Sequence, residues 1–572
     1  MLFMTRGAAL LLALPQGYSR QRAPLSAPIP AADSQRIVRR VRSAQSDFEA
    51  FRRLRLPIGF RTSDPCEIRV GRYCYWRGDE ADEKPPPPEL PAIRDRRAAL
   101  IQVLDSASSV LPGDAWIAGQ VVRYLVEIDS VDSAMLAAKE NCRAGPAWCH
   151  ALAGYAAHTG ARFAIADSEF TLALASMDAA ERCRWLDISD LISDDLAKRF
   201  ESLDCDGRSR LALRALRMGA PLYAVSTTDL LTEHLSRMTR ARIAEHSAGP
   251  DGESWADDER ELMVRYGWPR WYSRTQPEFG SQAAPSIIGH DVGMPYDFIP
   301  SLTVLEHLSQ TNQQDWHLDE PRAAFGYAPS YARRMHDLPS QIARFRRGDS
   351  TLIVASWDAR RDTTLIGRSL EAALVIWAND SSRAIARNTV AGVTGNLLVA
   401  SVVDSGLVSL ELLAKQDHHA ARVRVGVGSG AHGRVSVSDL LLYSPTPGPS
   451  DDLESVRDRA YTSDVIPPSR ELGVYWETYG LRASGEPVEV TLTLQQIGVG
   501  WMRRAAERLH FADPTTGLRI HWQEVPQQAN GIAGRGVRVD VSRLRGGRYR
   551  MQVTVNAVGE NPVIATREID VR

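Results

Sequence analysis

Apolar residues recur every three to four positions through the first part of the chain and every second position in the last part. The segments AWIAGQVVRYLVEI (115–128) and AWCHALAGYAAH (147–158) have the helical spacing, so residues 92–217 are predicted to be helical. From residue 350 onward the period changes to two, as in RYRMQVTVNAV, which predicts strands. The chain is therefore expected to be a multidomain α+β protein.

Tryptophan spacing within the helical part is typical of a repeat. Trp116 and Trp148 lie about 32 residues apart, and Tyr155 and Phe170 follow the second of them. Small and aromatic residues in this order resemble a tetratricopeptide unit, in which small positions let two helices pack closely. The resemblance implies a helical-hairpin solenoid of about three units over residues 92–217.

The alternating segments fall into two groups. Their spacing predicts two antiparallel β-sandwiches, at residues 346–446 and at residues 470–572. The Pro- and Ser-rich stretch SPTPGPSDDLESVRD predicts a linker between them, at residues 447–469. Residues 218–345 have mixed patterns and form a central region, in which TTDLLTEHLSRMTRARIAEHS is predicted to be an amphipathic helix.

The N-terminus has the composition of a secretory signal. A single basic residue, Arg6, precedes a short apolar run, and we expect a signal peptide over residues 1–20. The run is too short to cross a bilayer, which takes about 20 residues, so no membrane span is expected after signal removal. A frayed apolar start of a cytosolic protein would give a similar pattern. Residues 21–91 are polar and contain a run of four prolines at 85–88, and we expect a loose linker segment there.

The cysteines favour the exported alternative. Six cysteines allow fifteen pairings, so a pairing can be chosen only by proximity in the sequence. None lies in a C-x-x-C motif, and no second cluster offers the spacing of a zinc site. An even number of paired cysteines is typical of an oxidising compartment, whereas buried thiols would be the cytosolic alternative. We expect a periplasmic or extracellular protein with the local disulfides Cys66–Cys74, Cys142–Cys149 and Cys183–Cys205.

Charge and motifs narrow the possible functions. The 68 basic and 70 acidic residues give a net charge of −2, which lacks the basic excess of a nucleic-acid-binding protein. H-E-x-x-H, P-loop and G-x-S-x-G motifs are missing from the sequence. We therefore expect no nucleic-acid partner, no cofactor and no metal, while the protein partner is not specified by the sequence.

The segment IIGHDVGMPYDFIP holds the residues best suited to chemistry. His290, Asp291 and Asp297 would form an acid–base or metal cluster if they converged. Adjacent residues seldom share a ligand direction, however, and no third histidine follows at a fixed spacing. The alternative is a Gly- and Pro-rich loop with a structural role only.

An aromatic face on the C-terminal strands gives a further hypothesis. Tyr475, Trp476 and Trp522 lie in the alternating segments GVYWETYGL and LRIHWQEV. Exposed rings on such a face would bind carbohydrate by stacking. Aromatic residues at strand spacing more often belong to a core, which is the alternative interpretation.

The stretch ELMVRYGWPRWYSR has the residues of a structural corner. Gly267 can adopt the positive φ that ends a helix, and Pro269 prevents the helix from resuming. Trp268, Trp271 and Tyr272 would then lie at the corner, where large rings fill the gap between elements and Arg265 can stack on them. Tyr266 belongs to the same structural motif. We predict a rigid junction, with a binding hot spot as the alternative.

Several segments together resemble the GWxTD domain-containing proteins. They are PLYAVSTTDLLTEHLSRMTRARI, SWADDERELMVRYGWPRW, VSDLLLY and GVYWETYGL, and they fall within residues 210–572. In this chain Gly-Trp-Pro-Arg stands at residues 267–270, with no Thr-Asp after the tryptophan. The resemblance implies a secreted or envelope protein of bacteria, and it brings no agreed catalytic residues.

These expectations favour a non-enzymatic protein. Helical repeats and sandwiches present surfaces for protein partners, and no catalytic constellation is assembled in the sequence. We therefore predict a scaffold or protein-interaction role in the bacterial cell envelope. The alternative is a hydrolase that acts on peptides or glycans and carries the sandwiches as accessory modules.

Overall fold

The computed structural model confirms a mixed helical and β-stranded chain. The predicted signal peptide at residues 1–20 lies outside the described residues, so it stays a prediction. Within the described part, no helix is both long and apolar enough to cross a membrane. The described residues are 30–59, 66–76, 87–275, 285–290, 295–316, 325–379, 382–402, 405–428, 433–446, 450–466, 471–482, 485–497 and 517–571.

Helices make up most of the chain before residue 270. Asp114, Asp178 and Asp204 each accept a hydrogen bond from a first-turn amide and so cap α3, α7 and α9 in the list that follows. The helices are α1 Ala31–Arg53, α2 Pro91–Val110, α3 Ala115–Glu127, α4 Val131–Leu136, α5 Pro146–Thr159, α6 Phe163–Ser176, α7 Ala179–Trp185, α8 Asp194–Glu201, α9 Cys205–Met218, α10 Asp229–Ala244, α11 Asp257–Tyr266, α12 Leu302–Glu306 and α13 Leu453–Arg457.

Strands dominate the chain after residue 334. Alternation of buried and exposed residues is clear in several of them, because one face of each sheet covers an apolar core. The strands are β1 Ile68–Val70, β2 Tyr73–Tyr75, β3 Trp271–Arg274, β4 Ile287–His290, β5 Arg334–Asp337, β6 Ser340–Arg347, β7 Ser350–Asp358, β8 Leu370–Asn379, β9 Ser382–Ala391, β10 Thr394–Ser401, β11 Gly406–Ala414, β12 His419–Val427, β13 Ser436–Val437, β14 Leu441–Tyr443, β15 Val465–Ile466, β16 Glu471–Tyr479, β17 Val488–Gln496, β18 Leu518–Glu524, β19 Ile532–Asp540, β20 Gly547–Ala557 and β21 Val563–Val571.

Two sheets, which we call the first sheet pair, enclose one apolar cluster. One has the strand order β10-β7-β6, and the other has the order β5-β12-β11-β8-β9. All neighbours are antiparallel except β5 and β12. Trp357 on β7 and Leu374 and Leu410 on the facing sheet lie in the shared core.

A second sheet pair follows the same plan. Strand β16 is paired with β13 and β14 along one edge and with β19 along the other, and the facing sheet has the order β15-β21-β20-β17-β18. Trp476 from the first of these sheets and Val490, Met551 and Val553 from the second lie in one cluster.

The boundary predicted between residues 92–217 and a central region lies within one apolar core. One continuous core contains Tyr155 of α5, Leu235 of α10, Phe298 and Trp377 of β8. Helix α10 lies against α3, α5, α6, α9 and α11, so the helices on both sides of the predicted boundary share their apolar contacts. The outer face of the five-stranded sheet in the first sheet pair closes this core.

The predicted loose segment at residues 21–91 is wrong over its middle part. Val41 and Phe48 are buried on one side of α1, against α2 and α3. Beneath them Glu49 accepts hydrogen bonds from Arg123 at 2.8 Å and from the Tyr124 hydroxyl at 2.7 Å. The apolar stripe of α1 is hard to recognise in the sequence, because the exposed side of the helix carries many arginines.

The strand-domain boundaries also need correction. The boundary predicted at residue 346 cuts β6, which pairs with β7 along its whole length. The segment VSDLLLY was placed before the linker, yet β13 and β14 pair with β16 of the second sheet pair. The predicted linker at 447–469 contains α13 and β15, and β15 pairs with β21. Proline and polar residues marked the turns correctly but could not show to which sheet the short strands belong.

The three predicted disulfides are confirmed. Each closes a local connection: the β1–β2 hairpin, the turn into α5, and the contact between α7 and α9. They join Cys66 to Cys74, Cys142 to Cys149 and Cys183 to Cys205.

The two sheet pairs meet at an apolar cluster and at one buried carboxylate. Glu477 of β16 accepts two hydrogen bonds from the guanidinium of Arg347 on β6, at 2.5 and 2.8 Å. The hydroxyls of Tyr475 and Tyr479 donate to the same carboxylate at 2.9 and 2.7 Å. Its four acceptor contacts offset the loss of hydration on burial.

We predict that Glu477→Gln lowers the stability of the protein by about 2–3 kcal/mol, because an amide cannot accept all four of these hydrogen bonds. Thermal unfolding by calorimetry measures the effect. Glu489→Gln is the matched control, since Glu489 lies exposed on β17. Equal melting temperatures for Glu477→Gln and the control would contradict the assigned role.

Candidate functional site

Helix α10 is buried along its whole length except at Arg242, although about half of its side chains are polar. The sequence predicted an amphipathic helix, and this is wrong because neighbouring helices and the segment with Gly326 and Tyr331 cover its polar side as well. Burial of a polar group is tolerated when it is hydrogen-bonded or paired. The buried polar residues of α10 are Asp229, Thr232, Glu233, His234, Ser236, Arg237, Thr239 and Arg240.

The guanidinium of Arg237 connects α10 to two other segments. Its Nε donates to Glu233 at 2.5 Å, one helical turn away. Nη1 donates to the carbonyls of Val264 and Arg265 at 3.1 and 2.8 Å, and Nη2 donates to the carbonyl of Gly326 at 2.6 Å. A cation at the last carbonyls of α11 is also favoured by the helix dipole.

The Gly-Trp-Pro turn lies directly on this guanidinium. Gly267 has φ +85, which confirms the positive φ predicted for it, and a Cβ there would lie 3.4 Å from Arg237 Nη2. Tyr266 stacks on Tyr75 with 4.0 Å between ring centroids, and Trp268 packs edge-on against the ring of Tyr155 at 5.4 Å.

The remaining motif residues make internal contacts as well. The side chain of Arg265 pairs with Glu261 at 2.8 Å, and Pro269 packs closely against Gly289. Trp271 and Tyr272, which were predicted at the corner, lie instead in strand β3, which pairs with β4. All five motif residues thus make contacts within the fold, as expected for a structural junction.

The candidate loop site is only partly described. His290 stacks on the ring of Trp271 at 3.8 Å, and its Nε2 lies 2.7 Å from the Ser273 hydroxyl. Asp297 accepts a hydrogen bond from the amide of Ile299 at 3.0 Å. Asp291 lies outside the described residues.

A metal centre receives no support from the described residues. In the part of the chain that the structure describes, no group of three or more His, Cys, Asp or Glu side chains is arranged to hold a metal ion. The nearest acid–base arrangement lies elsewhere, on α5 and α10, and it was not predicted from the sequence.

That arrangement has the order hydroxyl, imidazole, carboxylate. His158 places Nδ1 2.8 Å from the Thr232 hydroxyl and Nε2 2.6 Å from Glu233. Burial alone would raise the pKa of Glu233, but Arg237 and His158 outweigh it and hold that pKa well below its usual range. The order matches a nucleophile, base and acid of hydrolases, but Thr232 is 0% exposed, so a substrate has no access to its hydroxyl.

Two further buried groups of α10 have opposite pKa shifts. Burial raises the pKa of Asp229 to about 7, although the hydrogen bond from the Tyr331 hydroxyl, at 2.5 Å, opposes the shift. Burial lowers the pKa of His234 to about 4, and Nε2 of this residue contacts the carbonyl of Trp185 at 2.9 Å. Both groups are therefore neutral in the folded protein over much of the range between these two values.

The joint between the helices and the first sheet pair consists of charged strand residues. Arg424 of β12 donates to the carbonyls of Met218 and Ala220 at 3.1 and 2.5 Å. Arg422 donates to the carbonyl of Pro221 at 2.6 Å. The alternation in ARVRVGV predicts a strand, but the sequence did not show that the chain at the end of α9 lies against these two arginines.

Glu411 on the neighbouring strand completes the joint. Its carboxylate accepts the amides of Tyr223 and Ala224, both at 2.9 Å. A shallow pocket of about 410 Å³, open solvent included, adjoins it and is also lined by Val225 and Arg387. The Glu411 carboxylate is already engaged by the chain, so the pocket has no vacant buried acid. One sign of this joint is present in the sequence: polar residues occupy every second position in parts of LVSLELLA and ARVRVGV.

The aromatic face proposed for carbohydrate binding is not exposed. Tyr475 and Trp476 are each 1% exposed, and the Trp476 ring lies 6.3 Å from that of Trp522. Stacking on a sugar requires an accessible ring face. The carbohydrate hypothesis is therefore wrong for Tyr475 and Trp476, because they lie in two apolar clusters on opposite faces of β16. Trp522 is partly buried against the cluster that contains Trp476.

No protein-family model and no curated protein sequence matches this chain. Among solved structures, the FN1-FN3 domains of chicken CNTN1 are 10% identical, with 41% of this chain and 67% of that chain covered and a TM-score of 0.13. Red sea bream transglutaminase is 11% identical, with coverages of 58% and 46% and a TM-score of 0.13. A mutant of Salmonella alpha-2-macroglobulin is 11% identical, with coverages of 42% and 23% and a TM-score of 0.17.

These three similarities do not identify a family or a function. The chain spans less than half the length of the transglutaminase and of the alpha-2-macroglobulin that it matches. TM-scores of this size do not support a shared fold.

We predict that Arg237→Gln destabilises the protein by about 3–5 kcal/mol, because it leaves Glu233 as an uncompensated buried charge and uncaps α11. Chemical denaturation measures the loss. Arg242→Gln on the same helix is the control, since Arg242 is half-exposed, pairs with Glu181 at 3.1 Å and lies over the Trp148 ring, so its loss leaves no buried charge unpaired. Equal losses in the two variants would refute the capping role.

We also predict that Asp229→Asn changes the pH dependence of stability. The unfolded carboxyl ionises near 3.8 and the folded one near 7, so the stability that protonated Asp229 contributes is lost as pH rises between these values. Wild type should lose up to about 1.4 kcal/mol per pH unit relative to the Asn variant in this window. Urea denaturation of both proteins at about pH 5, 6 and 7 tests this, and the effect of His234 cancels because both proteins contain it. Parallel pH profiles would contradict the raised pKa.

Proposed function

We propose that this protein is a non-enzymatic scaffold of an extracytoplasmic compartment in bacteria. We further propose that its helices form a tetratricopeptide-like part and that its two sheet pairs are β-sandwich modules. The sequence resemblance to the GWxTD domain-containing proteins supports a divergent membership of that family, in which Gly-Trp-Pro-Arg replaces the usual motif.

The disulfides support the compartment. All six cysteines are paired, and free cysteines do not occur among the described residues. Structural disulfides are rare in a reducing cytosol and common in exported proteins. Whether the compartment is the periplasm or the exterior does not affect the proposed role.

The observation that carries the scaffold role is the construction of the joints. Glu411, Arg422 and Arg424 fasten the helices to the first sheet pair, and Arg347 and Glu477 fasten the first sheet pair to the second. Buried charged contacts have a fixed geometry, because a shift of either side would leave a charge unpaired. Three surfaces are thereby presented at set positions, as a scaffold requires.

The hydroxyl, imidazole and carboxylate group on α10 does not favour the hydrolase alternative. Thr232 and His158 are both used to hold α10 against α5, and neither lies on a cleft. A catalytic group must reach the reacting atom of its substrate. The same three residues are accounted for by stability alone.

The scaffold role predicts partner contacts at more than one module. A photo-reactive amino acid would be placed at Leu136 on the helices, Val402 on the first sheet pair and Val558 on the second, which are 59%, 82% and 61% exposed. We expect discrete cross-linked products from at least two positions in intact cells, containing the same partner. Leu410, which is fully buried, is the control position.

Two outcomes would contradict the proposal. One is a lack of discrete products at all three exposed positions. The other is alkylation of six free thiols in protein taken directly from cells, which would place the chain in a reducing compartment.

A further inference from the structure

An edge of the helical part combines protruding aliphatic side chains with arginines. Leu54 and Ile58, just after α1, are 67% and 60% exposed, and Leu90, just before α2, is 49% exposed. A single exposed apolar residue is ordinary, but three at the ends of two adjacent helices form a feature of the surface. We call this the α1–α2 edge, and it also includes Arg55 and Arg96.

Two guanidinium groups bring the parts of this edge together. The Cζ atoms of Arg55 and Arg96 lie 3.7 and 4.9 Å from the centre of the Phe51 ring. Cation–π contact keeps both groups extended over the ring and close to the surface. The arginines of α1 and α2 therefore flank the same aromatic side chain from different helices.

Among the described residues, the charge of the edge has no acidic partner. In the ranges that the structure describes, neither Arg55 nor Arg96 has a carboxylate within ion-pair distance, and Arg94 beside them has none either. Arg39 and Arg40 continue the positive charge along the exposed side of α1. Among the exposed residues 94–96, near the start of α2, only Asp95 is acidic.

The edge is held in place from below. The carbonyl of Pro57 accepts a hydrogen bond from the amide of Arg274, and the amide of Gly59 donates to the Arg274 carbonyl, both at 2.9 Å. These bonds add residues 57–59 to β3 as a short parallel neighbour. Arg52, on the inner side of α1, is buried with Glu127 at 3.1 Å. The backbone that carries Leu54 and Ile58 is therefore fixed. Both side chains are exposed without the opening of a loop.

We propose that the α1–α2 edge docks this protein on a membrane surface that contains anionic phospholipids. Guanidinium groups pair with lipid phosphates in bidentate geometry, and each contributes attraction to a negative surface. Leu54, Ile58 and Leu90 enter the boundary between headgroups and acyl chains, as the apolar residues of peripheral membrane proteins do. Exposed aliphatic side chains beside unpaired arginines match a lipid surface, which offers acyl chains and phosphates together.

This inference goes beyond the proposed scaffold role and does not depend on it. A scaffold could have partners and no lipid affinity, and a protein of any function could bind lipid through this edge. The vesicle experiment below uses purified full-length protein and no partner, so its failure leaves the cross-linking result unaffected.

The test is co-sedimentation with vesicles at low salt. Wild type should bind vesicles of mixed phosphatidylglycerol and phosphatidylcholine and not vesicles of phosphatidylcholine alone, and about 0.5 M salt should remove most of the binding. Arg55→Glu with Arg96→Glu should weaken the apparent affinity by at least about tenfold. Leu54→Ser with Ile58→Ser should weaken it severalfold and keep the salt dependence, since the charges remain.

Arg538→Glu with Arg543→Glu is the matched control. Both arginines are exposed on the second sheet pair, and the change in net charge equals that of the first variant. Its binding should equal that of wild type, and melting curves should show that all three double variants fold. No binding of wild type to the anionic vesicles would overturn the proposal, and so would an equal loss in the control, because that would indicate attraction by net charge alone.

Discussion

The buried guanidinium of Arg237 is the contact on which the rest of the helical part depends. It joins α10 to the end of α11 and to Gly326, and it neutralises Glu233, which in turn holds His158 of α5. A buried charge of this kind is stable only when every partner is in position. The position of α10 therefore fixes that of the surrounding helices. The Gly-Trp-Pro turn follows the end of α11, where main-chain carbonyls accept hydrogen bonds from Arg237.

The same chemistry recurs at the two joints between modules. Arginines on strands donate to main-chain carbonyls or to a single buried carboxylate, as Arg424 and Arg347 do. Arginine suits this task because its planar donors reach several acceptors at once and its charge is weakly hydrated. The modules are thus attached in part through buried arginine side chains. Arginines that stay on the surface, as at the α1–α2 edge, remain available for anionic surfaces.

Local signals in the sequence predicted local structure well. Strands such as β17 and β20 follow from their alternation, the positive φ of Gly267 follows from the helix that precedes it, and the disulfides follow from cysteine proximity. Burial of polar residues was not predictable in this way. The pattern of α10 is that of a surface helix, and only the arrangement of its neighbours shows that it is enclosed. For the candidate site, the motif residues were placed at the right corner, but their partner Arg237 lies 30 residues earlier in the chain.

The central claim is that the polar network of α10 anchors the helical part, and native-state hydrogen exchange tests it most directly. If the network is the anchor, the amides of α10 exchange only when the whole helical part unfolds, and they are among the slowest in the chain. Their protection should then fall together with that of α5 and α11 when denaturant is added. Exchange of the α10 amides by a local opening, while those of α5 and α11 stay protected, would contradict this account.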